Sequence, residues 1–322
     1  MRLPAVIAVG TVLTCAACGG SSSSSPSPTP PTPVDFVPTR LTIVSGETGA
    51  AIANARVVIS GQAQQTDATG GVAVPAGLGR GAFIDILAPG FLDRQTALRG
   101  TEIPSRLTLW PRTSSVGLDE NTTAVLVFTS TVDGAGIGAA PLRRHRPGVT
   151  QVFLRLTPDL LADPETVQAH QAAADAINEA SGARVIYQLS AVPPLGASII
   201  DISFEPTNSG CTSTTRAFTS TRSTNGAISG GVVVYCIPAA QKSPTVGHEL
   251  GHTFGLYHSP NRTDLMFPTF VGDRSQTFTP REVQLMRLMV DRSPGTQFPD
   301  NDRDTTGATA TRTETIRCPI GS

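Results

Sequence analysis

Short runs of β-branched and aliphatic residues, broken by glycine and proline, dominate the first third of the chain. They occupy residues 40–44, 55–59, 71–74, 82–87 and 106–110, and Gly46, Gly49, Gly61, Gly70 and Pro89-Gly90 separate them. Strands this short, with turn residues between them, predict a small antiparallel β-sandwich over residues 36–112. The pattern changes further on. Gln151–Leu156 reads as a strand, and Asp163-Pro164 supplies an N-cap and a first-turn proline for a helix running to about Ser181-Gly182. Residues 184–189, 198–204 and 230–235 predict three more strands, the last leading to a helix that begins near Ser243-Pro244. Thr279-Pro280-Arg281-Glu282 has the form of a capping box and opens a helix to about Asp291. The expected fold class is therefore multidomain: an N-terminal all-β sandwich, a connecting segment at 113–149, an α+β domain at 150–293 and a polar, loosely ordered C-terminal tail at 294–322.

At the N-terminus, Met1-Arg2 precedes an apolar run over residues 3–17, shorter than the roughly 20 residues a bilayer span needs. The run has the charged start and small-residue end of an export signal. Val12-Leu13-Thr14-Cys15-Ala16-Ala17-Cys18-Gly19-Gly20 resembles a bacterial lipoprotein signal, which implies a signal peptide at 1–18 and lipidation of Cys18 rather than Cys15. An ordinary secretory signal is the alternative. Residues 19–35, rich in serine and proline, form a stalk held extended at about 3.1 Å per residue. The expectation is an exported protein, lipid-anchored to the bacterial cell envelope at the outer membrane or cell surface, that touches membrane only through that anchor. Thr66-Asp67-Ala68-Thr69-Gly70 with Pro89-Gly90-Phe91 resembles the carboxypeptidase regulatory-like β-sandwich, which implies a spacer or binding module.

The 322 residues leave room for two domains at roughly 100–200 residues each. With 24 Lys+Arg against 25 Asp+Glu there is no broad basic field, so nucleic acid is excluded as a partner.

Three of the five histidines fall within His248-Glu249-Leu250-Gly251-His252-Thr253-Phe254-Gly255-Leu256-Tyr257-His258. Residues four apart share a helix face, so His248 and His252 can present two imidazoles to one ion with Glu249 beside them. Gly255 can end the helix in a left-handed conformation and return His258 as a third ligand. Three nitrogens leave a fourth position open, the arrangement of a catalytic Zn2+ site.

The segment matches the pattern H-E-x-x-H-x-x-G-x-x-H and is identified as metzincin-like. Asp264-Leu265-Met266-Phe267-Pro268 supplies the methionine turn at Met266, and with His258-Ser259 it looks most like the matrixins. Pro268 stands where astacin- and serralysin-like relatives carry a metal-linked tyrosine. The resemblance implies a metzincin fold over 150–293: a twisted, mostly parallel sheet with an antiparallel edge strand, an active-site helix and a C-terminal helix. It also implies a single catalytic Zn2+ and a monomeric endopeptidase acting on a protein or peptide substrate. In that chemistry Glu249 takes the proton of a zinc-activated water and passes it to the departing amine. Substrate is expected as an added strand along residues 214–219, with the residues after Met266 near the main specificity pocket.

Of the remaining cysteines, Cys211 and Cys236 are the expected disulfide, with Cys318 a competitor for either. Matrixin zymogens silence zinc with a propeptide cysteine, and none lies between stalk and catalytic segment. His145, within Arg143-Arg144-His145-Arg146, reads as a solvated basic turn, and His170 as a helix residue with no ligand spacing. Asp300, Asp302 and Asp304 alternate as in a Ca2+ loop but lack its glycine and closing glutamate, so a solvated acidic tail is the reading preferred over a Ca2+ site. The rival for the whole chain is a cell-surface binding lipoprotein with a protein or glycan ligand and an inert zinc site. An intact Glu249 argues against it.

Overall fold

A computed structural model describes residues 39–78, 81–98, 105–128, 140–146, 148–242, 244–269, 274–302 and 311–320. The export signal, Cys15, Cys18, the stalk and Asp304 lie outside the described residues. Seven strands come first: β1 (Arg40–Ser45), β2 (Arg56–Ile59), β3 (Gln62–Gln65), β4 (Gly71–Ala73), β5 (Phe83–Leu87), β6 (Arg94–Ala97) and β7 (Arg106–Leu109). They build two sheets, ordered β4-β1-β7 and β3-β2-β5-β6. Alternate positions such as Leu41 and Ile43, Val57 and Ile59, Ile84 and Ile86, and Leu107 and Leu109 turn inward to one shared apolar cluster, as the two-residue period of a strand requires. The first sheet is not wholly antiparallel. β1 and β7 run parallel, from Thr42↔Arg106 to Ser45↔Leu109, because the chain builds β5 and β6 in the other sheet before it returns.

Beyond residue 112 come α1 (Glu120–Phe128), β8 (Arg144–His145), β9 (Gln151–Leu156), α2 (Pro158–Leu161), α3 (Pro164–Ala180), β10 (Ile186–Leu189), β11 (Ser198–Phe204), β12 (Thr215–Thr224), β13 (Ala227–Tyr235), α4 (Thr245–Phe254), α5 (Pro280–Val290) and β14 (Thr311–Pro319). The large sheet has the order β10-β9-β11-β13-β12-β14, with β8 pairing β13. Its first four strands are parallel, whereas β12 is antiparallel to both neighbours. Helix α3 starts on the Asp163 side chain, which accepts from Glu165 N, and buries Thr166, His170, Ala173, Ala174, Ile177 and Ala180 along one stripe. That stripe packs on β10, α4 and α5.

Described residues of two regions expected to lie outside the folded domains, the connecting segment and the C-terminal tail, form regular elements of this unit. The connecting segment holds α1, started by Asp119, whose side chain accepts from Thr122 N at 2.6 Å. Its Leu126, Val127 and Phe128 enter the large core. Its run of Thr, Val, Leu and Phe is apolar nearly all round, so it carries no amphipathic period by which to recognise a helix. The C-terminal tail returns as β14 along β12, which is therefore not an edge strand.

Asp300 and Asp302 are buried rather than solvated. Arg292 Nε and Nη2 each donate to an Asp300 carboxylate oxygen at 2.7 Å. The same guanidinium donates to Thr108 on β7 and lies 5.1 Å over Trp110, so it joins the tail to the first sheets. Both oxygens of Asp300 are thus engaged by a cation of the protein. Leu92 and Trp110 belong to the large core as well, and Asp35–Ser322 forms one compact unit.

Candidate metal centre

Helix α4 presents His248 and His252 one turn apart, with their Nε2 atoms 3.1 Å from each other. The helix ends at Gly255, whose φ of 122° and close approach to the Arg143 carbonyl leave no space for a Cβ. The chain reverses there, and the His258 ring comes to 5.3 Å from His248 and 4.9 Å from His252, centroid to centroid. Backbone carbonyls orient two of the rings. His248 Nδ1 donates to Leu265 O at 2.7 Å and His252 Nδ1 to Leu256 O at 2.8 Å, which aims both Nε2 atoms at the common point. Arg274 also donates to Leu265 O. Burial, together with the nearby Arg274 charge, holds the three imidazoles below their ordinary range and so in the neutral form that can bind a cation.

Met266 lies fully buried beneath α4, where Gly251 makes room for it: a Cβ there would lie 2.5 Å from Met266 Sδ. The turn is tied at both ends. Ser259 N donates to Met266 O at 2.7 Å, and Met266 N donates to Glu282 Oε1 on α5 at 2.8 Å. Asp264 accepts from Ser259 Oγ at 2.5 Å and from Arg281 Nε at 2.7 Å, so the stretch from His258 to Met266 is held as one piece.

Glu249 is fully buried beside the imidazoles. Its Oε2 accepts from Thr219 Oγ1 at 2.6 Å, and the Cys318 thiol is a second hydrogen-bonding neighbour of the carboxyl. Burial pushes this carboxyl up to about 7, against the hydrogen bonds from Cys318 and then Thr219.

Sequence reasoning missed the fourth member. Cys318 Sγ on β14 lies 3.1 Å from His248 Nε2, 3.6 Å from His252 Nε2 and 3.7 Å from His258 Nε2. The position expected to be open is filled by a thiol. The only signal in the chain was an odd cysteine left over once Cys211 and Cys236 had been paired. Those two are joined, with Cα atoms 5.4 Å apart, fastening the start of the β12 segment to the end of β13.

The ligand atoms of His248, His252, His258 and Cys318 all lie within 4.8 Å of one another. Three imidazole nitrogens and a thiol are the donors that zinc prefers. The remaining histidines stay out of the cluster. His145 is buried rather than solvated, with Nε2 2.9 Å from Tyr187 Oη, and His170 Nε2 lies 2.9 Å from Tyr235 Oη.

Residues 239–285, which span α4, His258, Met266 and the first half of α5, match the family model of the matrixins. No curated protein matches the chain. The match and the His/Cys cluster together indicate a metallopeptidase-type zinc site within a mixed α/β structure.

Proposed function

We propose that the chain is a zinc-dependent endopeptidase. The observation that carries this reading is the convergence of three imidazole Nε2 atoms with the fully buried Glu249 carboxyl next to them on α4. His248, His252 and His258 would hold one zinc ion. Bound there, zinc supplies Lewis acidity, which makes water acidic enough to attack near neutral pH and polarises the scissile carbonyl. Glu249 Oε1 accepts the proton of the attacking water and delivers it to the departing amine nitrogen. The Thr219 hydroxyl fixes the other carboxylate oxygen, so the base keeps one orientation through both transfers. Met266 and Glu282 hold the His258 turn from below.

The same reading makes β12 the strand beside which a protein or peptide substrate would lie, since it runs past Glu249. The two N-terminal sheets are read as a sandwich that acts as a spacer, behind a lipidated Cys18 and the 19–35 stalk, placing a monomeric enzyme at the bacterial cell envelope. One zinc ion suffices for this chemistry. A mixed peptide library incubated with the zinc-loaded Cys318→Ser chain and with a zinc-loaded chain lacking residues 311–322, with and without a chelator, tests the proposal. New peptide termini should arise only without the chelator. A folded, zinc-containing chain that cleaves nothing would overturn the reading.

A further inference from the structure

The C-terminal strand occupies both places that a peptidase reaction at this centre needs. β14 pairs β12 without a gap at its centre, from Ala217↔Cys318 to Thr224↔Thr311, with one register irregularity near Thr215. A second peptide cannot add to β12 while this ladder stands, because an edge strand has one free row of donors and acceptors. Alternation along β14 then puts Glu314, Ile316 and Cys318 on one face. Ile316 and Cys318 are buried, Ile316 opposite the Thr219 that holds Glu249. Glu314 is anchored by Arg143 at 2.8 Å and by Tyr257 Oη at 3.1 Å, and Tyr257 is the residue before His258. At the far end Cys318 Sγ faces all three imidazole nitrogens.

We propose that residues 311–320 form a built-in plug, in which Cys318 Sγ supplies the fourth ligand to the metal and β14 fills the substrate position, so that the folded chain is latent until this strand is displaced. The proposal rests on the hydrolytic reading for its consequence but not for its geometry. A permanently closed His3Cys site would serve structure alone. Glu249 distinguishes the two, because a purely structural site has no use for a fully buried carboxylate set against its ligands, where burial raises it and Cys318 and Thr219 are its hydrogen-bonding neighbours.

The test uses the full chain loaded with Co2+, which reports its ligands by absorption. A thiolate-to-cobalt charge-transfer band is expected in the parent and absent in Cys318→Ser. The single free thiol among the described cysteines should resist a chromogenic disulfide reagent while metal is bound and react once a chelator removes it. With zinc restored, peptide hydrolysis should rise by about tenfold or more in a chain lacking residues 311–322, and also in Cys318→Ser, where loss of the sulfur ligand frees β14 to leave β12. Cys318→Ala is the second substitution, should deletion of the strand impair folding.

A parent spectrum without the thiolate band overturns the plug, whatever the hydrolysis result. So does hydrolysis no faster than the parent's in both Cys318→Ser and the chain lacking residues 311–322. The band present, with no hydrolysis by any folded variant, supports the ligand assignment, overturns latency and removes the peptidase reading with it.

Discussion

Asp300→Asn should be among the most damaging single-atom changes in this chain, although Asp300 lies in a stretch that reads as solvated tail. Arg292 and Asp300 are both buried and joined by two parallel 2.7 Å hydrogen bonds. A second guanidinium, Arg94, is buried alongside; burial and then the Arg292 charge push it down to about 10. The amide would leave two buried cations with Asp302 and Asp291 as the remaining carboxylates acting on Arg94. Removing one partner of a buried pair costs about 3–5 kcal/mol, against about 0–1 for an exposed pair. The geometry selects the larger figure, reduced toward 3 because Arg292 keeps its bonds to Thr108 and its place over Trp110. At roughly 2–4 °C per kcal/mol, the melting temperature should fall by about 6–12 °C. Urea unfolding of the parent, Asp300→Asn, Arg292→Met and the double variant Arg292→Met/Asp300→Leu measures this directly. The double variant should be more stable than either single one, since an apolar pair leaves no charge unmatched. A loss below about 1 kcal/mol for Asp300→Asn, with additive double-variant behaviour, would refute the reasoning.

Three further predictions follow from the site and its supports. Glu249→Gln should keep the metal, since none of the three histidine ligands changes, and lower hydrolysis by about 100- to 10,000-fold in a Cys318→Ser background; metal analysis beside a peptide assay checks it, and an unchanged rate removes Glu249 from the mechanism. Gly255→Ala would place its Cβ 2.1 Å from Arg143 O at a φ of 122°, so about 1–3 kcal/mol of strain should appear as faster loss of zinc to a competing chelator, through the displaced His258; identical chelation kinetics would count against the hinge. Burial lowers His170 to about 4 from 6.5, so the folded state favours the neutral ring. Its contribution is complete above pH 6.5 and is lost as pH falls toward 4, amounting to about 3 kcal/mol across that window. His170→Gln should therefore flatten the decline in urea midpoint between pH 7 and pH 4.5, and parallel curves for parent and variant would disprove it.

Local chemistry was legible in the chain where it obeys short-range rules. The Asp163 cap, the Thr279–Glu282 capping box, strand Gln151–Leu156 and strand Ser198–Phe204 all stand where their residues place them, because caps and two-residue alternation act within a few positions. The spacing of His248, His252 and His258 likewise set which side chains could meet, since a helical turn and one glycine suffice to bring them together. Tertiary structure decided the rest. α1 is a helix because the large core accepts its apolar surface on nearly every side, which its own run of Thr, Val and Phe does not announce. Asp300 and His145 are buried only because Arg292 and Tyr187 arrive from elsewhere to pair with them. Above all, the thiol of Cys318 reaches imidazoles 60–70 positions away only through the register of β14 on β12, and register is a long-range choice that no short stretch of sequence encodes.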